Sequence, residues 1–148
     1  MKIPFYPDKP LLSSAERLTD WDSSDNYILQ QKVDGWRILL VDDYASAWHE
    51  DLRIFTRLGK DYTKEVREDL EVRNEIQRLK TLLPPRTVLD GEWLSRRACS
   101  KDYNLAPKIY LFDAPIWNGE KLLNTPYLDR WNIITEFLKR NNFSNSIT

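Results

Sequence analysis

Glycine is scarce in this chain, and its positions constrain the fold. The four glycines are Gly35, Gly59, Gly91 and Gly119, and each lies where a short apolar segment meets a turn. Glycine adopts backbone conformations that other residues avoid, so it is expected where a strand gives way to a tight turn. This placement indicates short strands that are bounded by turns.

Apolar runs beside these glycines predict the strands of a sheet. Residues 38–41 form a short apolar run and residues 52–57 alternate, which together predict a hairpin. Residues 87–89 and 93–94 are expected to be strand residues on either side of Asp90-Gly91-Glu92. Residues 108–116 predict a further buried strand.

Two helices are expected outside this sheet. Thr63 is predicted to cap a helix over residues 64–82, with Leu70 on its inner face, which Pro84-Pro85 would end. Pro126 is predicted at the first position of a second helix that runs through Leu138. The predicted fold class is therefore α+β, with antiparallel-rich sheets and packed outer helices, and 148 residues suffice for one domain.

Composition excludes several classes of protein. The 22 basic and 23 acidic residues are interleaved, so the chain lacks the basic surplus of a stand-alone nucleic-acid binder. One histidine, His49, excludes a multi-histidine metal site and disfavours a Ser-His-Asp hydrolase. One cysteine, Cys99, and the absence of an apolar leader or spanning run predict a cytoplasmic (bacterial or viral) or nuclear protein, neither secreted nor membrane-bound.

Chemistry is indicated first by the run Gln30-Gln31-Lys32-Val33-Asp34-Gly35-Trp36-Arg37. A lysine amine that has lost its proton can attack the α-phosphate of a nucleoside triphosphate. Asp34 and Gly35 are expected to shape the turn that presents Lys32, because Asp bonds nearby backbone amides and Gly tolerates positive φ. Arg37 offers a planar fork of donors that suits a phosphate oxygen or a ribose hydroxyl.

The run Lys32-Val33-Asp34-Gly35-Trp36-Arg37 resembles the lysine motif of the covalent nucleotidyltransferases, the superfamily of DNA ligases, RNA ligases and mRNA capping enzymes. Residues 55–63, 88–93 and 110–113 resemble later motifs in the same order, most closely those of ATP-dependent DNA ligases. The resemblance covers roughly residues 27–138. It implies a single partial adenylation domain over residues 1–148, an incomplete ATP-grasp-like nucleotidyltransferase domain without an OB-fold domain.

The resemblance also implies a reaction. Lys32 would take AMP from ATP as a lysyl-AMP intermediate, and later steps would seal nicks in duplex DNA during repair, replication or recombination. Glu92 would contact the ribose and lie near a Mg²⁺ ion, for which a carboxylate is a suitable ligand. Arg57 would contact the ribose or the 5′-phosphate of the substrate end. Surface ion pairing is the alternative role for Arg37 and Arg57.

Recognition of adenine is assigned to two side chains by the same resemblance. Gln30 would bond the adenine amino group, and Phe112 would stack on the adenine ring. Tyr110 is the alternative residue for this stacking. The alternative for Phe112 is a core position, because an aromatic residue in an apolar strand often has only a packing role.

The family's later Glu-Gly-x-Val and Lys-x-Lys motifs do not occur in this chain. We therefore expect the chain alone to be a weak or inactive ligase, because leaving-group charge needs cationic stabilisation. The complete enzyme would act on nicked duplex DNA, and another segment or chain would supply the missing motifs and the OB-fold. The alternatives are an RNA ligase, an mRNA capping guanylyltransferase, a non-catalytic nucleotide-binding remnant, or a domain whose motifs are coincidental.

Overall fold

The computed structural model describes residues 34–42, 52–95 and 107–143, and all of them belong to one compact unit, Val33–Thr148. Gln30, Lys32, His49 and Cys99 lie outside the described residues. The strands are β1 (Trp36–Val41), β2 (Arg53–Thr56), β3 (Val88–Leu94), β4 (Lys108–Trp117) and β5 (Glu120–Lys121), and the helices are α1 (Thr63–Arg67), α2 (Leu70–Leu82) and α3 (Tyr127–Arg140). The predicted α+β class is confirmed, whereas the extent of the domain stays a prediction.

The strands form one five-stranded sheet in the order β2-β1-β3-β4-β5, and every neighbouring pair is antiparallel. The predicted hairpin is present, with Ile38 opposite Thr56 and Leu40 opposite Ile54. On its other side β1 pairs with β3, so Arg37 lies opposite Glu92. This order places β1, which begins within the lysine motif, between the edge strand β2 and the central strand β3.

Side chains on one face of the sheet form the hydrophobic core with the helices. Ile38, Leu40, Ile54 and Leu89 are at most 1% exposed, and burial of each such side chain contributes about 1.5–3 kcal/mol. Other members of this cluster are Val72, Ile76 and Leu79 from α2 and Ile134 from α3. Each helix in the described part of the chain is too short or too polar to cross a membrane.

The single helix predicted over residues 64–82 is wrong, because the chain breaks it at Glu68 and Asp69. The Asp69 side chain accepts a hydrogen bond from the Val72 N–H, 3.4 Å away, so it caps α2 where a continuous helix would have no cap. The break changes the phase of the apolar positions. Leu70 is 60% exposed and Val72 is fully buried, which corrects the prediction that Leu70 faces the core.

Two predicted helix starts also differ from the structure. Thr63 is the first residue of α1, and its hydroxyl accepts the Ile54 N–H and donates to Asp61. It therefore joins α1 to β2 instead of capping the helix. Pro126, with φ −51° and ψ 144°, precedes α3 in the N-cap position, and α3 continues to Arg140 instead of ending at Leu138.

Gly91 does not meet a turn as predicted, because β3 is continuous through it. A Cβ atom on Gly91 would lie 2.4 Å from the backbone oxygen of Tyr110, and the pairing of β3 with β4 is irregular beside it. Gly91 is therefore required by the close approach of two strands. Gly59 and Gly119, with φ values of +78° and +81°, do occupy turns.

Candidate functional site

Four residues of the recognised motifs meet on the sheet face that lies opposite the core. We call this the motif face, the side of the sheet that carries Arg37 on β1, Asp90 and Glu92 on β3, and Phe112 on β4. Glu92 lies opposite both Arg37 and Tyr110, so a row of polar and aromatic side chains crosses three strands. Alternation along each strand directs these side chains away from the core.

Arg37 and Asp90 form a two-pronged ion pair on this face. The Arg37 Nε donates to Asp90 Oδ1 at 3.0 Å and its Nη2 to Oδ2 at 2.5 Å. Asp90 is fully buried, and burial raises the pKa of its carboxyl while the hydrogen bonds from Arg37 oppose that shift. The Arg37 guanidinium carbon also lies 5.2 Å from the centre of the Phe112 ring, so Arg37 is held between a carboxylate and an aromatic face.

Glu92 connects the lysine motif to β3. The backbone N–H of Gly35 donates to Glu92 Oε1 over 3.1 Å. Gly35 does not have the positive φ that its turn role was expected to need, but a Cβ atom there would lie 2.5 Å from the Trp93 backbone oxygen. Close approach to β3 therefore explains this glycine. The exposed Asp34 precedes it, and Lys32 lies just outside the described residues.

A second ion pair borders the first. Arg130 on α3 donates from Nε to Asp113 Oδ1 at 2.7 Å and from Nη2 to Oδ2 at 2.8 Å. Asp113 follows Phe112 and lies directly opposite Asp90 across β3 and β4. The hydrogen bonds to Asp113 raise the pKa of the Arg130 guanidinium. The Tyr127 hydroxyl donates to the Phe112 backbone oxygen at 2.7 Å, so the start of α3 is anchored to β4 beside the motif face.

Sequence reasoning missed the partners within this site. Neither Asp90 nor Arg130 was predicted as a site residue. Pairing of Arg37 with Asp90 joins residues 53 positions apart and depends on strand register. Charges of opposite sign in two mostly apolar strands are the signal that could have suggested it.

The remaining predicted residues lie elsewhere. Arg57 is exposed in the turn that follows β2, at the edge of the sheet. Trp36 lies on the other face from Arg37, where its ring stacks on Tyr62 with centroids 5.8 Å apart. Tyr110 is half-buried and lies opposite Glu92.

Metal binding was predicted at Glu92. Among the described residues, no group of three or more His, Cys, Asp or Glu side chains is placed to hold a metal ion. Mg²⁺ commonly uses only one or two carboxylates together with substrate phosphates, so Glu92 has the right chemistry for that mode. The role of Glu92 at a metal stays a prediction.

An open depression of about 790 Å³ surrounds α1. Charged side chains of both signs line it, and its residues are Asp61, Thr63, Lys64, Glu65, Arg67, Glu68 and Arg73. None of these belongs to the motif face. The motif residues therefore mark a different place on the molecule from this depression.

No family model and no curated protein matches the chain. Its fold is similar to the solved ligase domain of LigD from M. tuberculosis, with a TM-score of 0.55, 24% identity and coverage of 80% of this chain and 38% of that one. A mycobacterial DNA ligase D complexed with ATP and MES has a TM-score of 0.52, 23% identity and coverage of 74% and 36%. The chain thus has the fold of a ligase adenylation domain and spans just over a third of the length of these structures.

Proposed function

We propose that this chain is the nucleotide-binding part of an ATP-dependent DNA ligase, in which Lys32 takes AMP from ATP. One observation carries the proposal: residues of three separate motifs meet on the motif face. Gly35 is bound to Glu92, and Arg37 is bound to Asp90 beside Phe112. The similarity in fold to a DNA ligase complexed with ATP supports ATP as the nucleotide.

The proposed reaction is a displacement at the α-phosphorus of ATP. The unprotonated Lys32 amine forms a bond from its nitrogen to the α-phosphorus, and that nitrogen then gives a proton to water. The bond from that phosphorus to the oxygen bridging to the β-phosphate breaks, and pyrophosphate leaves with the electron pair. Cations near the amine would favour its unprotonated form, and Arg37 is the motif cation closest to it in sequence.

Contacts on the motif face suggest how the nucleotide would be held. Phe112 would stack on adenine with the ring face that Arg37 does not cover, and the Gln30 carbonyl would accept the adenine amino group. Glu92 would accept a ribose hydroxyl while one of its oxygens binds the Gly35 N–H. Arg37 would contact a phosphate or ribose oxygen of the nucleotide.

Glu92 would hold a Mg²⁺ ion beside the ATP phosphates, and the ion would supply neutralisation of the charge on the leaving pyrophosphate. Arg57 would contact the 5′-phosphate of the substrate end. In the complete enzyme AMP would pass to that 5′-phosphate and the nick in duplex DNA would be sealed. An OB-fold and the later motifs would come from a further segment or chain.

Covalent labelling tests the proposal. The full chain is incubated with Mg²⁺ and α-phosphate-labelled ATP or GTP, and mass spectrometry locates any added nucleotide. We expect slow addition of AMP at Lys32, none in Lys32→Arg, and no labelling by GTP. Labelling by GTP alone would instead support a capping guanylyltransferase. Heat protection by ATP without a covalent label would contradict transfer and leave a nucleotide-binding remnant.

A further inference from the structure

Two buried carboxylates face each other beside the proposed nucleotide site. Asp90 and Asp113 are directly opposite across β3 and β4, and they are 0% and 9% exposed. Residues so placed have Cα atoms roughly 4.5–5.5 Å apart, and like charges directly opposite destabilise a sheet. Each carboxylate here has its own arginine, Arg37 for Asp90 and Arg130 for Asp113.

We propose that Arg130 is a positioning residue for the nucleotide site: by binding Asp113, it prevents that carboxylate from drawing the Arg37 guanidinium away from Asp90 and from its place over the Phe112 ring. The proposal rests on the proposed function, because Arg37 and Phe112 are taken there as nucleotide contacts. Arg130 lies on α3, outside the strands that carry those contacts.

The geometry gives this role a physical basis. Without Arg130, Asp113 would be a buried carboxylate without its two-pronged partner, which is strongly unfavourable. Arg37 is the other cation of this four-group cluster, so its guanidinium would be drawn towards the space between the two carboxylates. That movement takes it away from the Phe112 ring, 5.2 Å from which it now lies.

The alternative is a purely structural tether. Arg130 also donates to the Thr125 backbone oxygen at 2.5 Å, and Tyr127 binds the Phe112 oxygen, so this end of α3 has several attachments to the sheet and its connection. A tether predicts that removing either Arg130 or Asp113 weakens the fold and that removing both does not restore it. The positioning role predicts a different pattern, because removing the Asp113 charge removes the attraction on Arg37.

The experiment compares Arg130→Gln, Asp113→Asn and the double variant in the full chain. We measure the dissociation constant for ATP and thermal unfolding. We expect Arg130→Gln to weaken ATP binding roughly tenfold, a size typical of coupled charged neighbours. Asp113→Asn should change it by less than about threefold, and the double variant should recover to within about threefold of the unaltered chain although its stability stays reduced.

Arg140→Gln is the matched control, because Arg140 is an exposed arginine at the end of the same helix. It should leave ATP binding unchanged. A double variant that binds ATP as weakly as Arg130→Gln overturns the positioning role and supports the tether. Equal ATP binding by Arg130→Gln and the unaltered chain overturns it as well.

A readout without nucleotide separates this inference from the proposed function. The ¹⁵N NMR signal of the Arg37 Nε–H is recorded in four proteins: the unaltered chain, Arg130→Gln, Asp113→Asn and the double variant. We expect Arg130→Gln to shift it and the added Asp113→Asn substitution to restore it. If the unaltered chain does not bind ATP, the proposed function fails, and this signal alone decides whether Arg130 positions Arg37. An Arg37 signal that is the same in all four proteins would overturn the inference.

Discussion

At the scale of single residues, two glycines allow the motif strands to approach each other closely. Gly35 lies against the backbone of Trp93, and Gly91 lies against the backbone of Tyr110. In both cases an added Cβ atom would meet a backbone oxygen at 2.5 Å or less, a contact that a side-chain rotation cannot relieve. The arrangement of the motif face therefore depends on residues that have no side chain.

Gly91→Ala should destabilise the fold by about 2–3 kcal/mol, because the methyl group overpacks the β3–β4 contact. Gly59→Ala is the control, since a Cβ atom added there would have no neighbour within 4 Å and only the φ of +78° is unfavourable. That substitution should cost about 1 kcal/mol. Urea unfolding followed by tryptophan fluorescence measures both. A cost for Gly59→Ala that equals or exceeds that of Gly91→Ala would contradict the close-approach explanation.

Glu92 should hold the lysine-motif turn through an oxygen atom and not through its charge. Glu92→Gln keeps an acceptor for the Gly35 N–H, whereas Glu92→Ala removes it. We expect hydrogen exchange at Gly35 to be about tenfold faster in Glu92→Ala, equivalent to about 1.4 kcal/mol of lost protection, and nearly unchanged in Glu92→Gln. Equal exchange rates in the two variants would contradict this role of Glu92.

At the scale of elements, the break between α1 and α2 decides which side chains reach the core. Asp69 caps the start of α2 and so sets its phase, which leaves Val72 buried and Leu70 exposed. The sequence around the break contains no proline or glycine, so periodicity alone predicts one helix. An aspartate cap competes with continuation of the helix, and the apolar pattern does not reveal that competition.

Val72→Ala should therefore lower the free energy of unfolding by about 2 kcal/mol, because it leaves a cavity in a buried cluster. Leu70→Ala, two positions away in the same helix, should change it by less than about 0.5 kcal/mol, as is usual for exposed positions. Chemical denaturation of the two variants measures the difference. A larger cost for Leu70→Ala than for Val72→Ala would contradict the exposed position of Leu70 and the helix phase set by Asp69.

The junction between β2 and α1 should make the free energy of unfolding depend on pH in the acid range. Burial of Asp61 opposes its ionisation, but hydrogen bonds from Arg53 and Thr63 outweigh this and lower its pKa to about 2. Because the pKa in the folded state lies below the usual 3.8, this stabilisation is complete above about pH 4 and is lost as pH falls through about 2. The group is 44% exposed, so solvent screens the effect.

Thermal unfolding between pH 2 and pH 6 tests this junction. Asp61→Asn should unfold at a lower temperature than the unaltered chain at pH 6, and the difference should shrink as pH falls towards 2. Glu65→Gln, which removes a nearby exposed acid from α1, should follow the pH dependence of the unaltered chain. A constant difference between Asp61→Asn and the unaltered chain at every pH would contradict the assignment.

At the scale of the whole molecule, local pattern predicted most of the sheet but not the partners within the site. Apolar runs and alternation identify the strands because those signals depend on neighbouring residues. Pairing of Arg37 with Asp90, and the opposition of Asp90 to Asp113, arise from strand order and register, which span dozens of residues. The roles predicted for Gln30, Lys32, Arg57, Glu92 and Phe112 stay predictions.

The central claim is that the motif face binds ATP, and NMR during an ATP titration tests it most directly. The backbone N–H of Gly35 and the Nε–H of Arg37 report on the motif face, and the indole N–H of Trp36 reports on the opposite face. We predict saturable shifts at Gly35 and Arg37 with little change at Trp36. Shifts at Trp36 without shifts at Gly35 and Arg37, or no shift at millimolar ATP, would contradict the claim.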